Sequence, residues 1–230
     1  MAKWTRPRFL IMYALIPLVF LLAASSDRQF RIGVPVVLFG LFIRLWANGY
    51  VGHQKVNYTG TSSAEAKIGR LITAGPYAHV RHPLYVGTFV IALGIGMIVG
   101  HPLVIILGAV ALVIIYRRKM EEEERTLLDE CGEAFTLYKK SVASWMPSLV
   151  PYKIRNGQWS WQGIFASKEW KTDIWVLVFL IALYLREEIW QEHELYTQGD
   201  KTKHLIYLAI LICLAATDGI IELMRRRRMA

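Results

Sequence analysis

Residues 75–89 read GPYAHVRHPLYVGTF. Tyr, His, Arg and His stand between two prolines, directly before an apolar run. Polar groups at the edge of an apolar segment are costly unless they find partners. Pro83 suits the first turn of a helix, because it has no amide hydrogen to lose and a preset φ. His82 before it is pushed towards an extended conformation. The chain therefore arrives extended at Arg81–His82 and turns into a helix. The free amides and partial positive charge of that helix start favour an anionic group, with Arg81 and His82 beside it as donors. Gly75–Pro76 makes a turn that returns Tyr77 to the same place, and Gly87 admits the close approach of a backbone or ligand. A capped helix in an interfacial belt accounts for the same residues, and His79 and Tyr85 taken alone read as structural.

A second constellation lies downstream. Residues 117–140, RRKMEEEERTLLDECGEAFTLYKK, read as one helix whose apolar positions Met120, Leu127, Leu128, Cys131, Phe135 and Tyr138 recur at intervals of three and four. Glu124 falls inside that stripe, Glu123 at its edge, and Glu122 points away. A solvated acidic first turn explains Glu121 and Glu122. It does not explain Glu124, because an apolar face excludes a carboxylate that lacks a partner. A cation facing Glu124 is the sharper reading. A ligand with a carboxylate for Arg81–His82, a cation for Glu124 and a flat apolar part for tyrosine rings suits both constellations. S-adenosylmethionine has all three, and many amphoteric molecules share them.

The elements that position these residues read as membrane helices. The chain has 230 residues, 54% of them hydrophobic, and a mean hydropathy of +0.33, values beyond those of ordinary soluble domains. Six apolar segments approach the roughly 20 residues that a span needs: 9–24, 33–51, 83–99, 102–116, 172–185 and 204–223. Gly100–His101 alone joins the third and fourth, so these form a tight hairpin. The formal charge of +9 falls on one side of such a chain. Lys3, Arg6 and Arg8 precede the first segment, ten Lys or Arg lie between Arg117 and Lys171, and the chain ends with Arg225–Arg228. That is the positive-inside pattern with both termini cytoplasmic, and attraction to anionic lipid explains the charge better than nucleic acid does. A retained first span is favoured over a cleaved signal. Cys131 and Cys213 make no disulfide framework, and the six His are scattered, so no metal site is expected.

The expected fold is all-α: a polytopic integral membrane protein of about six transmembrane helices with a cofactor site at its cytoplasmic face. Residues 1–51 form a hairpin, 52–150 a core, and 151–230 a connector and final hairpin. Trp159, Trp161 and Trp170 of the connector suit the headgroup layer. Arg44 lies well inside the second span, and a buried membrane charge is a functional candidate. It either holds an anionic acceptor or pairs, for example with Asp218 or Glu222. Asn48 and Tyr50, about one turn on, line the same cavity in the first case. An amine acceptor would need a base such as His53, His79 or a glutamate.

The same residues resemble a family. GPYAHVRHPLYVG, followed by EEEERTLLDECGEAFTLYKKSV, is similar to the isoprenylcysteine carboxyl methyltransferases and related phospholipid N-methyltransferases, with RLWANGYVG as a weaker extension. The resemblance covers about 71–147. It implies S-adenosylmethionine as cofactor, a membrane bilayer setting and a lipid-like methyl acceptor, without nucleic acid. It also implies that Gly75, Pro76, Tyr77, Arg81, His82, Pro83, Tyr85, Gly87, Glu123 and Glu124 bind the cofactor. Phe135 replaces one of the family's paired tyrosines and leaves Tyr138, which joins Arg44 and Asn48 as candidate catalytic residues. KKSVASWMP stands where prenylcysteine enzymes carry Arg-Val-Pro, which leaves the acceptor open. Membrane sterol reductases share the RHP-x-Tyr signature, but four consecutive glutamates repel the 2′-phosphate of NADPH. A scaffold or lipid-binding protein without turnover is the other class.

Overall fold

A computed structural model describes residues 25–57, 71–167 and 170–191, with the single positions 19, 22, 23 and 209. Among these residues every regular element is helical. Helix α1 spans Asp27–Asn57, α2 Pro83–Val99, α3 Pro102–Cys131, α4 Glu133–Ser141, α5 Trp161–Ser167 and α6 Trp170–Gln191. A 3-10 turn, Gly75–Ala78, precedes α2. Within α1, Asp27–Val51 is long and apolar enough to cross a membrane, and Pro83–Val99 is a shorter apolar helix. The expected spans 9–24 and 204–223 lie outside the described residues, apart from those single positions.

Proline and glycine punctuate the chain as their chemistry requires. Pro83 and Pro102 stand at the starts of α2 and α3, and Gly100 ends α2 in the left-handed region at φ 64°. Helix α3 does not stop with its apolar half. It continues through the charged run as far as Cys131, where ion pairs one turn apart, Arg117–Glu121 at 3.3 Å and Lys119–Glu123 at 3.8 Å, support its exposed part. The single helix expected over 117–140 is instead two. Gly132 adopts φ 54° and separates α3 from α4, a conformation that is strained for residues other than glycine. The bend carries Phe135 and Tyr138 into a small core with Leu71, Cys131 and Val142. Leu128, expected on the same apolar stripe, is exposed.

Helices α1 and α2 pack antiparallel through small residues. Gly33 meets Gly94 and Gly40 meets Gly87; a Cβ added at Gly33 would lie 2.7 Å from the Gly94 carbonyl oxygen, and one at Gly40 2.8 Å from that of Gly87. Both pairs recur at seven-residue spacing, so the seam runs straight along the contact. Small residues that let backbones approach are the usual device where water cannot drive helices together. Gly94→Ala puts its methyl 2.6 Å from Val37 Cγ2 and 2.8 Å from the Gly33 carbonyl. The expected cost is about 1–3 kcal/mol of overpacking. A lowered thermal midpoint in nanodiscs with unchanged ligand affinity is the result that checks it.

Helix α6 closes the other side of α1. Phe30 and Tyr184 meet edge to face, with ring centroids 5.4 Å apart, and Leu180 and Leu183 join Val37, Leu41, Ile91 and Ile98 in the main core. Trp159 packs over Gly49 and against Trp161, 4.7 Å between centroids. Trp161 is exposed as a headgroup anchor would be. Trp170 is not: it is buried at the start of α6, where its indole N–H donates to the Phe165 carbonyl at 3.4 Å.

Candidate active site

The segment 143–156 straps onto 71–82 by backbone hydrogen bonds. Arg81 N–H donates to Ala143 O at 2.9 Å, Ser148 N–H to His79 O at 2.9 Å and Tyr152 N–H to Ala78 O at 2.8 Å. Thr73 and Ala74 N–H both donate to Asn156 O, and the Asn156 side chain returns a bond to Leu71 O at 2.8 Å. This lacing fixes Arg81 and His82 at the start of α2, facing α3.

Glu124 is the centre of the cluster that results. Its Oε1 accepts from Arg81 Nε at 3.0 Å and from His82 Nε2 at 3.1 Å, and its Oε2 pairs with Lys139 Nζ at 2.8 Å. Arg81 also donates to the carbonyls of Lys139 and Val142, at 2.9 and 2.6 Å, and to Ser144 Oγ. Burial alone would raise the Glu124 pKa, but Lys139, His82 and Arg81 outweigh it and hold the carboxyl at about 2. Tyr85 donates to Glu123 Oε1, its ring stacks on His82 at 5.5 Å, and Lys119 Nζ lies 5.4 Å from its centroid. The cation facing Glu124 expected from the helix pattern is therefore present, supplied by the protein itself.

Burial pushes His82 below its ordinary value of 6.5, against the hydrogen bond and charge of Glu124 and the charge of Glu123. The ring is neutral near pH 7. An ionised Glu124 can only accept, so His82 donates through Nε2. A lowered folded pKa means that His82 contributes stability above pH 6.5, which is lost as the pH falls through the folded value. The thermal midpoint is expected to drop on acidification below that pH, and His82→Gln to flatten that part of the profile.

The structure brings Arg81, His82, Tyr85, Glu123 and Glu124 together. It leaves others of the expected set in the packing beneath. Gly75, at φ 61°, lies under the Tyr50 ring, where a Cβ would be 2.1 Å from Tyr50 Cε2. Pro76 and Pro83 are buried, and Tyr77 packs with Ala47 and Ile72. Gly87 faces Gly40 and Arg44. Tyr138 is buried, and its hydroxyl donates to Tyr77 O at 2.6 Å; burial raises its pKa. It braces the 3-10 turn. The His79 ring is held by Ser148 O at 2.7 Å, and the His53 side chain lies outside the described residues.

Arg44 is 4% exposed. Its Nε donates to Asp173 Oδ1 at 2.8 Å and its Nη1 to Thr88 Oγ1 at 2.8 Å. Among the described residues its carboxylate partner is on α6; Asp218 and Glu222 lie outside them. One turn on, Asn48 is fully buried, and neither its oxygen nor its nitrogen has a hydrogen-bond partner among the described residues. A buried amide left unpaired costs about 1–3 kcal/mol. Asn48→Leu is therefore expected to hold or raise the thermal midpoint. A fall in turnover in that same variant would mark Asn48 as serving the reaction, and unchanged turnover would make it packing alone.

A cavity of about 500 Å³ opens beside the cluster, lined by Phe89, Val113, Arg117, Met120, Glu121, Glu124, Ser144 and Trp145. One end is aromatic and aliphatic, the other charged, and only Glu124 belongs to the residues expected from sequence. Phe89, Val113 and Met120 were hidden because a helix-pair register cannot be read from one sequence. Ser144 and Trp145 lie in KKSVASWMP, which sequence reading marked only as a departure from a pattern.

Residues 33–129 match the model of the isoprenylcysteine carboxyl methyltransferase (ICMT) family. The chain is 38% identical to the Protein-S-isoprenylcysteine O-methyltransferase of Schizosaccharomyces pombe over 81 residues, 35% of this chain and 34% of that one. It is 31% identical to the enzyme of that name from Rattus norvegicus over 122 residues, 53% of this chain and 42% of that one. With the cobalt-zinc-cadmium resistance protein CzcN of Cupriavidus metallidurans the match is 29% over 130 residues, 56% of this chain and 51% of that one. The chain thus spans about a third to a half of the length of these relatives. No solved structure matches it. The matched segment runs from α1 through the glutamates of α3 and contains Arg44, Arg81, His82 and Glu124, and over that segment the chain is similar to the isoprenylcysteine carboxyl methyltransferase family.

Proposed function

We propose that this chain is a multi-pass membrane methyltransferase that takes its methyl group from S-adenosylmethionine and passes it to a lipid-like acceptor at the cytoplasmic face. The observation that carries the reading is the Glu124 cluster beside a cavity with one charged and one apolar end. A volume near 500 Å³ lies within the usual ligand range of about 300–1,000 Å³. Glu124 suits the cofactor's cationic part, Arg81 and His82 suit its carboxylate, and Phe89 and Trp145 offer ring faces. Lys139 Nζ is the exposed member of the cluster, so it is the partner that a ligand's cation displaces at least cost.

When bound, the cofactor supplies a methyl group already activated by its sulfonium. The protein's task is then positioning and exclusion of water. Arg44 holds an anionic acceptor from the α1 side, with Asn48 one turn on. The membrane reading draws on the outward faces as well. Ile32, Phe39 and Phe42 on α1 and Ile106, Val110 and Ile114 on α3 are exposed, each above 50%. Apolar surface of that extent is matched by lipid rather than water. Six spans with both termini cytoplasmic remain the topology that suits the charge distribution. Family relatives named O-methyltransferases favour a carboxylate oxygen as acceptor atom.

Calorimetric titration of the protein in nanodiscs with S-adenosylhomocysteine tests the reading. Micromolar binding, about −8 kcal/mol, lost in His82→Ala and Glu124→Ala is the expected result. Binding of NADPH in its place would turn the site towards a reductase, and binding of neither would leave a scaffold.

A further inference from the structure

We infer that the tip of the 143–156 strap, Trp145–Val150, is a lip that inserts into the leaflet of anionic phospholipids and forms the membrane-side rim of the cavity. This rests on the membrane reading above. The first ground is depth. Trp145 meets Phe89 edge to face, 4.5 Å between ring centroids. Phe89 lies six residues beyond Pro83, so about 9 Å along α2 at ~1.5 Å per residue. At Trp145 the strap therefore reaches past the start of α2 to the level of its second turn, and shares the cavity wall there with Val113 of α3.

The second ground is what the rest of the tip presents. Met146 is 77% exposed, Leu149 98% and Val150 76%. These are not frayed ends. Ser148 N–H, inside the tip, is fixed to His79 O at 2.9 Å, and Tyr152 N–H, just beyond it, to Ala78 O at 2.8 Å. Within it, Ser148 Oγ donates to Val150 O at 2.9 Å and accepts from Val150 N–H at 3.1 Å, while Pro147 and Pro151 fix φ. The fold fixes the backbone that carries these apolar side chains outward, so little backbone entropy is left to lose on insertion.

The third ground is charge. From Ala134 through Lys168 the sequence holds no acidic residue, while Lys140, Lys153 and Arg155 are exposed beside the tip. Juxtamembrane basic residues are attracted to an anionic surface. An apolar tip flanked by cations fits a bilayer of acidic lipid.

The test uses the full chain in nanodiscs, with Cys131 and Cys213 changed to alanine and one environment-sensitive fluorophore at Leu149→Cys. Nitroxide carried near the headgroup end of the acyl chains is the quencher. Phe39→Cys on the exposed face of α1 reports lipid, and Glu122→Cys on the exposed cytoplasmic part of α3 reports water. Quenching at 149 several-fold above that at 122, and weakened when phosphatidylglycerol is replaced by phosphatidylcholine, is the expected result. Quenching at 39 but not at 149 overturns the lip and leaves the membrane reading intact. Absence of quenching at both 39 and 149 overturns both.

Discussion

Glu124→Gln is expected to abolish S-adenosylhomocysteine binding in the micromolar range and to lower the thermal midpoint of the protein. The substitution keeps volume and removes charge. It leaves Arg81, 10% exposed at its side chain, without the carboxylate that sits 2.9 Å from its Nη2, and Lys139 without the oxygen at 2.8 Å. Removing one member of a buried ion pair costs about 3–5 kcal/mol. This cluster opens onto a cavity, so the lower end applies. Two further oxygens soften the loss for Arg81, because the carbonyls of Lys139 and Val142 still accept from it. His82 keeps a neutral ring and can still donate to the amide oxygen. Charge-assisted hydrogen bonds are worth about 1.5–3 kcal/mol each, so affinity should fall by tenfold to a hundredfold or more. The pH response separates this from simple unfolding. Glu124 is held at about 2, well below its ordinary 4.5. Its share of stability is present above pH 4.5 and lost as the pH falls through 2. Acid titration of the parent and of Glu124→Gln should thus differ at low pH. Equal affinity in parent and variant would remove Glu124 from the site.

What sequence could and could not show follows from the range of each interaction. The start of α2 at Pro83 and its end at Gly100 were legible, because proline and glycine act on their own backbone. Glu124 was legible because a helix repeats every 3.6 residues, and a carboxylate inside an apolar stripe stands out within one element. The continuation of α3 to Cys131 also follows from local charges one turn apart. The break at Gly132 carried a weaker signal: a glycine within an otherwise helical pattern is as often tolerated as it is a stop. Asp173 lies 129 residues from Arg44, and no periodicity links positions on separate helices. The strap was equally hidden, since its hydrogen bonds run through backbone groups that every residue carries. The glycine seam was present in the sequence as two seven-residue intervals, 33 to 40 and 87 to 94. It becomes meaningful only once the two helices are known to face each other. Single residues within the expected cofactor set divided for the same reason: Arg81 and His82 act across to α3, while Tyr77 and Gly75 were drawn into contact with α1.

Arg44→Met is expected to reduce turnover far more than cofactor binding. The guanidinium stands on the α1 side of α2, with Gly87 between it and the rest of that helix; a Cβ at Gly87 would lie 2.6 Å from Arg44 Cγ. The Glu124 cluster faces α3 instead. Loss of Arg44 therefore leaves the cofactor-side contacts in place. A cost in stability accompanies it, because Asp173, 15% exposed at its side chain, loses the nitrogen at 2.8 Å. Breaking such a pair from one side costs about 3–5 kcal/mol, so a change in kcat alone is ambiguous between chemistry and partial unfolding. Asp173→Asn resolves it. That variant removes the carboxylate charge that has lost the guanidinium in the Arg44→Met background, and should restore part of the thermal midpoint. If Arg44 only ties α1 to α6, turnover returns with stability in the double variant. If Arg44 holds an anionic acceptor, stability returns and turnover does not, while S-adenosylhomocysteine affinity stays within a few-fold of the parent throughout. Arg44→Lys sharpens the distinction. A lysine keeps the charge but not the fork that reaches Asp173 through Nε and Thr88 through Nη1. It should therefore recover acceptor-dependent turnover only in part. Parallel loss of cofactor affinity and turnover in Arg44→Met would remove the acceptor role and make the residue part of the frame.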